Sequence, residues 1–499
     1  MERSAGILLA ISSLPSKYGI GSFSKEAYRF VDWLRSAHQS YWQILPMGPT
    51  GYGDSPYQSF STFAGNPYFI DLDTLVDQGL LTDRECREID WGDDGRYVDY
   101  RTIYEGRYPI LRKSYERWKM TDSMEFSMFM DENREWIYDY SLFMAVKDSL
   151  GGIPWTEWPQ DIRNRQPDAV QQMQIKLADE IHFQQYMQYL FYTQWNALKS
   201  YANKNHIRII GDIPIYVAMD SADVWAHPEL FRLDEDRRPY EVAGCPPDGF
   251  SETGQLWGNP IYDWELNRQN GYSWWIARMR HSYKLYDVVR IDHFRGFDEY
   301  YAIPYGEETA VNGKWKKGPG MDLFRNIEKA LGKRDVIAED LGFVTDSVRK
   351  LVHDSGFPGM KVVEFAFDVR DTGAASDYLP HNYIRNCVVY TGTHDNETLI
   401  GWWSSIDQRS RYMARDYMAA HYTPDRLINV PFITLAMRSI ADLCIIPMQD
   451  YLGLDNKSRM NKPSTVGDNW RWRMISDDTD DDLAEEIGSL TLMTGRSKM

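Results

Sequence analysis

Eight short runs of β-branched and apolar residues recur along this chain, each breaking into a polar or glycine-rich stretch. They are Gly6 to Ile11, Tyr41 to Met47, Ile207 to Ile215, Asp287 to Phe294, Asp335 to Leu341, Lys361 to Phe367, Cys387 to Thr393 and Leu443 to Met448. Near-continuous apolar runs mark strands covered on both faces, as in a parallel sheet flanked by helices. Eight such strands are what a closed barrel requires, so the predicted fold class is α/β, a (β/α)8 TIM barrel. Most gaps hold an amphipathic stretch. Ala27, Phe30, Val31 and Leu34 line one face of Lys25 to Ala37, as a crossover helix requires. Pro447 alone argues against its run, because proline cannot donate to a strand ladder.

The whole chain, residues 1–499, reads as one barrel with insertions. About 160 residues separate the second and third runs, far more than one crossover helix needs. That gap is predicted to hold a mostly helical subdomain at 70–180. Trp136, Tyr140, Phe143 and Met144 follow helical spacing up to Gly151, and Phe183, Met187, Leu190, Phe191 and Leu198 mark a second long helix. A second insertion, 216–285, is rich in Pro, Gly and aromatics and reads as a large loop over the barrel mouth. Near the C-terminus, Asp480 to Asp482 precede Leu483 and Ile487, placing acids at the positive end of a helix.

A net charge of −18 with no Lys/Arg-rich stripe argues against nucleic acid and anionic membrane surfaces as partners. Nowhere do about 18 apolar residues run together, so no membrane span is expected. Cys86, Cys245, Cys387 and Cys444 form no CxxC pair, which points away from zinc and disulfides and toward a reducing cytoplasm. Neither a GxGxxG after a strand nor a GxxxxGK[ST] loop occurs. No cofactor and no metal, calcium included, is expected. Aromatics make up 14 % of residues; most belong in a large core, and the remainder suit stacking on the apolar faces of sugars.

Three of the runs end in carboxylates: Asp292, Glu339 and Asp395. One acid at a strand end is most often a helix cap or a surface charge. Three of them, with Arg290 and His394 attached, are the makings of a catalytic mouth. Glycosidic bond cleavage needs an ionised carboxylate beside the anomeric carbon and a protonated acid beside the leaving oxygen. Arg290, two residues before Asp292 and so on the same side of the strand, is expected to keep Asp292 ionised and lower its pKa. Glu339 has no adjacent cation and is the better proton donor. Asp395 is placed to accept sugar hydroxyls and to favour an oxocarbenium-like charge. Two further stretches look like substrate machinery. Gly51 to Ser59 combines turns with aromatics, and Cys245 to Pro260 is predicted to form a lid with Phe250 and Trp257 exposed.

Arg-Ile-Asp-His-Phe, Ala-Glu-Asp-Leu-Gly and Gly-Thr-His-Asp-Asn, with Gly-Asp-Ile-Pro-Ile-Tyr at 211–216, resemble the four signature regions of the α-amylase clan. The Cys245 to Pro260 loop and Gly51 to Pro67 narrow the resemblance to the amylomaltase family of 4-α-glucanotransferases, over nearly the whole chain. The resemblance implies Asp292 as nucleophile, Glu339 as general acid/base and Asp395 as the residue that binds the distorted sugar. It also implies sugar contacts for Ser55, Tyr57, Asp212, Gln255, Trp257, Arg290, Asp368 and His394, and for Asn461 through Arg459-Met460-Asn461-Lys462-Pro463. α-1,4-Glucans and maltooligosaccharides are the implied substrates.

Two rivals stay open at this stage. An α-amylase-type hydrolase would use the same carboxylates with water as acceptor, and a non-catalytic glucan-binding protein would only hold the sugar. Incubation with maltotriose separates the three. Transfer yields glucose plus a ladder of longer oligosaccharides by chromatography, hydrolysis yields only maltose and glucose, and a binding protein leaves maltotriose intact.

Overall fold

A computed structural model describes residues 2–51, 53–121, 123–247, 251–342, 344–368 and 375–497. Its strands, in chain order, are β1 (Ser4–Leu8), β2 (Tyr41–Gln43), β3 (Arg208–Pro214), β4 (Glu241–Cys245), β5 (Gln255–Pro260), β6 (Val288–Asp292), β7 (Glu299–Pro304), β8 (Lys314–Lys317), β9 (Val336–Ala338), β10 (Gly359–Val362), β11 (Cys387–Tyr390) and β12 (Leu443–Pro447). Eight of these overlap the eight apolar runs and form one parallel sheet in the order β10-β11-β12-β1-β2-β3-β6-β9. Pro447 is the last residue of β12, opposite Leu8, where no further donation is needed.

The two ends of that sheet meet without a regular ladder. The Ala338 N–H donates to the Pro358 carbonyl at 3.0 Å, and the Asp340 carboxylate accepts the Met360 N–H at 2.7 Å. Gly359 makes this approach possible, since a Cβ there would lie 2.5 Å from Asp340 Oδ2. A side chain thus replaces the missing strand pairing, and the barrel is nearly closed.

Helices Tyr100–Trp118, Met124–Glu132, Ile137–Ser149, Pro167–Lys176 and Ala178–Lys204 lie between β2 and β3. The last of them packs its buried face on the barrel and delivers the chain to β3. Phe191 and Trp195 close on Phe23 at 5.1 and 5.4 Å between ring centroids. Crossover helix Lys25–Ser36 buries Ala27, Phe30, Val31 and Leu34 as its spacing predicts. Helix Asp481–Met493 is capped by Asp480, whose carboxylate accepts the Leu483 N–H at 2.8 Å.

The segment read as a loop over the mouth is in part regular. β4 and β5 pair antiparallel, and β4 pairs on its other side with β7, which pairs with β8. The four-stranded sheet β5-β4-β7-β8 therefore takes one hairpin from before β6 and one from after it. A register shift between Val242 and Gly244 leaves a bulge at Trp257 to Asn259 on the opposing strand, which re-aims Trp257.

Gly211 in β3 faces the Tyr286 ring, and a Cβ there would sit 2.1 Å from it. Gly211→Ala is expected to cost on the order of 1–3 kcal/mol by overpacking. Near-UV circular dichroism should register a lower melting midpoint; an unchanged midpoint would mean that Tyr286 moves aside freely.

Candidate active site

At the carboxyl ends of the barrel strands the register places charged groups opposite one another. Asp212 on β3 pairs with Arg290 on β6, so their side chains emerge on the same face of adjacent strands. Arg290 Nη1 contacts Asp212 Oδ2 at 2.5 Å and Nη2 reaches Asp292 Oδ1 at 3.0 Å. Asp212 and the Arg290 side chain are 0 % and 3 % exposed, against 28 % for Asp292. The guanidinium is thus closed off and Asp292 is the member of the triad that a ligand can reach. The Tyr57 hydroxyl donates to Asp212 Oδ2 at 2.9 Å. Its ring stacks on His394 at 5.1 Å and 17°. Ser55 Oγ accepts the Tyr57 N–H at 3.3 Å and steadies that turn.

Glu339 follows β9 directly. Its two carboxylate oxygens accept backbone N–H groups, Oε2 from His293 at 2.7 Å and Oε1 from Leu341 at 2.8 Å. His293 can present its N–H this way because its backbone is left-handed, with φ 53°. The His293 ring meets Trp257 edge to face at 4.8 Å, and Trp257 Nε1 donates to Gln255 Oε1 at 3.1 Å. Trp257 is half-buried by these contacts, not exposed as the sequence suggested. Phe250, the other expected lid aromatic, and Tyr52 of the Gly51 to Ser59 stretch lie outside the described residues.

Asp395 is held from three directions. His394 Nε2 lies 3.3 Å from Oδ2, Asn461 Nδ2 donates to Oδ1 at 2.6 Å, and Arg459 donates to the Asp395 carbonyl at 2.6 Å. Its side chain nevertheless keeps 43 % of its surface accessible. Asp368 is buried and accepts the Trp402 indole N–H at 3.2 Å. Among the described residues no group of three or more His, Cys, Asp or Glu is arranged to hold a metal ion.

The environments push the carboxyls apart. Enclosure by the protein and then the charge of Asp292 raise Glu339 to about 7. The same enclosure raises Asp292 to about 6, and Arg290 opposes it only in part. This corrects the expectation of a lowered Asp292: Arg290 is present as predicted, but it is shared with Asp212, whose own charge raises Asp292 further. Enclosure would raise Asp395 too, yet the charge of His394 and the hydrogen bonds from His394 and Asn461 outweigh it and hold it at about 2. His394 rises against its own burial because Asp395 faces it.

Sequence reasoning missed His293, whose contribution runs through a backbone N–H. It missed Trp470 as well, which packs on both Tyr57 and His394 at 5.8 and 5.9 Å. Arg459 was visible only as part of the motif quoted for Asn461.

The family model described as 4-alpha-glucanotransferase matches residues 9–477. The 4-alpha-glucanotransferase of Streptococcus pneumoniae is 49 % identical over 499 residues, covering 99 % of this chain and 98 % of its own. That of Thermus thermophilus is 45 % identical over 484 residues, covering 95 % of each. The solved amylomaltase from Streptococcus agalactiae, in complex with acarbose, superposes with a TM-score of 0.96 at 41 % identity, covering 100 % of both chains. This chain belongs to the 4-alpha-glucanotransferase family.

Proposed function

We propose that the enzyme transfers α-1,4-glucan segments by a retaining double displacement, with Asp292 as nucleophile, Glu339 as acid and base, and Asp395 as stabiliser of the transition state. The observation that carries this is how differently the three carboxyls are held: Asp292 by the Arg290 guanidinium at 3.0 Å, Glu339 by backbone N–H groups alone, and Asp395 by His394 and Asn461. In the first step an Asp292 oxygen bonds to the anomeric carbon while the glycosidic C–O bond breaks, and Glu339 gives its proton to the departing 4-oxygen. In the second, the Glu339 carboxylate takes a proton from an acceptor's 4-hydroxyl, whose oxygen displaces Asp292. Atoms and charges balance, and Glu339 ends protonated as it began.

Asp395 is fully ionised at neutral pH and reachable from the cleft, which suits it to hydroxyls of the distorted sugar and to positive charge growing at the ring. Asp212 and Arg290 act chiefly behind Asp292, fixing its orientation, and offer a sugar little surface of their own. Tyr57, His394 and Asn461 form a continuous wall with Trp470 around the same sugar position. Gln255 and Trp257, which reach Glu339 through His293, are assigned to the acceptor. Ser55 and Asp368 complete the proposed sugar contacts. Trp257 meets the His293 ring, and the His293 N–H holds Glu339; a sugar seated against this group would exclude water and favour transfer over hydrolysis.

Maltooligosaccharides and longer α-1,4-glucans are the proposed donors and acceptors. We place the protein in a reducing cytoplasm, in keeping with four cysteines of which none is in a disulfide. No helix among the described residues is long and apolar enough to cross a membrane.

Three outcomes test this reading. Glu339→Gln should lower kcat by roughly 10²–10⁴, the usual worth of general acid–base help; near wild-type turnover of maltotriose would remove Glu339 from the mechanism. The pH profile of kcat/KM should be a narrow bell. Activity is lost below about 6 as Asp292 gains a proton and above about 7 as Glu339 loses one. Because the two groups interact, the limbs report the pair. A profile flat from pH 5 to 8, the interval that brackets both values, would contradict the assignment. Arg290→Met removes the cation shared by buried Asp212 and partly exposed Asp292, and breaking a buried pair such as Asp212–Arg290 costs about 3–5 kcal/mol. The acid limb should move to higher pH along with a fall in thermal stability, and an unmoved limb would mean that Arg290 does not govern Asp292.

A further inference from the structure

Two loops at the barrel mouth meet around Asp395. The first leaves β11 and runs from Thr391 to Thr398; the second follows the short helix Met448–Tyr451 after β12 and includes Asn456 to Asn461. The second loop is bonded to the first at three places. Asn456 Oδ1 accepts the Thr398 N–H at 3.2 Å, and its amide donates to Glu397 Oε1 at 2.7 Å. At the other end the Asn461 N–H donates to the His394 carbonyl at 3.0 Å, and its amide to Asp395 Oδ1 at 2.6 Å. Arg459 stands between them. From one edge of its planar fork, Nε donates to the Asn461 carbonyl at 2.7 Å and Nη2 to the Asp395 carbonyl at 2.6 Å. Burial works against the charge of this guanidinium, and the nearby Glu397, Glu364 and Asp395 favour it.

Packing alone does not fix these loops on one another. A cavity of about 20 Å³ is lined from both, by Thr393, Asn396 and Thr398 of the first and by Arg459 and Met460 of the second. The Asp395 side chain also keeps 43 % of its surface accessible, so its direction is set by hydrogen bonds more than by contact. On the backbone, Thr393 Oγ1 accepts the Asp395 N–H at 3.3 Å, and Arg459 supplies the bond on the carbonyl side. Asn461 can orient Oδ1 only while its own backbone stays at a fixed distance from Asp395, and the Arg459 fork spans that distance.

We propose that Arg459 is a positioning residue for the reaction: it clamps Asp395 and Asn461 at a fixed separation, so that the Asp395 carboxylate meets the sugar in the orientation that stabilises the transition state. The inference rests on the role proposed above for Asp395. What Arg459 supplies is position. Against burial, His394 and Asn461 already keep Asp395 ionised, and a single ammonium in place of the fork would not hold two carbonyls at a set spacing.

Arg459→Met and Arg459→Lys in the full-length enzyme test the clamp, each alone and combined with Asp395→Asn. Arg459→Met should lower kcat for maltotriose roughly 100-fold, the effect of misplacing a reacting group by about 1 Å. KM should stay close to wild type, the pattern of an interaction realised in the transition state. Arg459→Lys keeps the charge without the fork and should fall nearly as far; it carries the same test should Arg459→Met not fold. In the Asp395→Asn background neither change should lower kcat further, because the carboxylate to be positioned is gone. A second fall of the same size there would mean that Arg459 merely supports the loops, and would overturn the proposal. Full activity in Arg459→Lys would overturn it as well, by assigning the effect to charge. Wild-type kcat in Arg459→Met beside an impaired Asp395→Asn would refute the clamp alone, whereas wild-type kcat in Asp395→Asn would refute the role of Asp395 itself.

Discussion

A guanidinium buried between two carboxylates fixes most of what this site can do. Arg290 is reached by Asp212 from β3 and by Asp292 from its own strand, and it also crosses the barrel interior to place Nε 3.4 Å from the Met360 sulfur on β10. Taking an arginine out of water is costly unless its donors are matched, and a planar fork with two carboxylates meets that demand better than an ammonium would. The pairing follows from strand register: Asp212 and Arg290 are ladder partners, and a slip of one residue would turn one of them to the helical layer. Correct register between β3 and β6 and the placing of the cation beside Asp292 are therefore linked.

Chemical roles follow from how unevenly this cation is shared. Asp395 has His394 and Asn461 to itself and stays strongly acidic. Asp292 shares Arg290 with Asp212, and Glu339 has only backbone donors and a like charge beside it. Three carboxyls of one intrinsic chemistry are thus set apart by their neighbours alone, which suits them to the proposed roles of stabiliser, nucleophile and proton carrier. Trp257 and Glu339 are joined through His293, by a ring contact at one end and a backbone N–H at the other.

Much of this was legible in the chain because buried parallel strands have a plain signature. The eight apolar runs gave the barrel in order, and acids breaking three of those runs gave Asp292, Glu339 and Asp395. What escaped depends on partners distant in sequence or on the backbone. β4 and β5 are short and interleaved with Pro and Gly, and β7 and β8, which complete their sheet, come only after β6; β8 itself reads Lys-Trp-Lys-Lys and has no apolar signature. His293 acts through a left-handed backbone that its side chain does not announce. The raised pKa of Asp292 reflects enclosure, which sequence does not contain, whereas the adjacent arginine was easy to see.

In the proposed mechanism Asp292 carries the glycosyl group between donor and acceptor while Glu339 moves the proton. The most direct test combines Glu339→Gln with α-maltotriosyl fluoride, whose leaving group needs no protonation, followed by mass spectrometry of proteolytic peptides. A maltotriosyl adduct should accumulate on the peptide containing Asp292, because the first displacement proceeds and the second lacks its base. Fluoride release without any adduct, or an adduct on a different carboxylate, would contradict it.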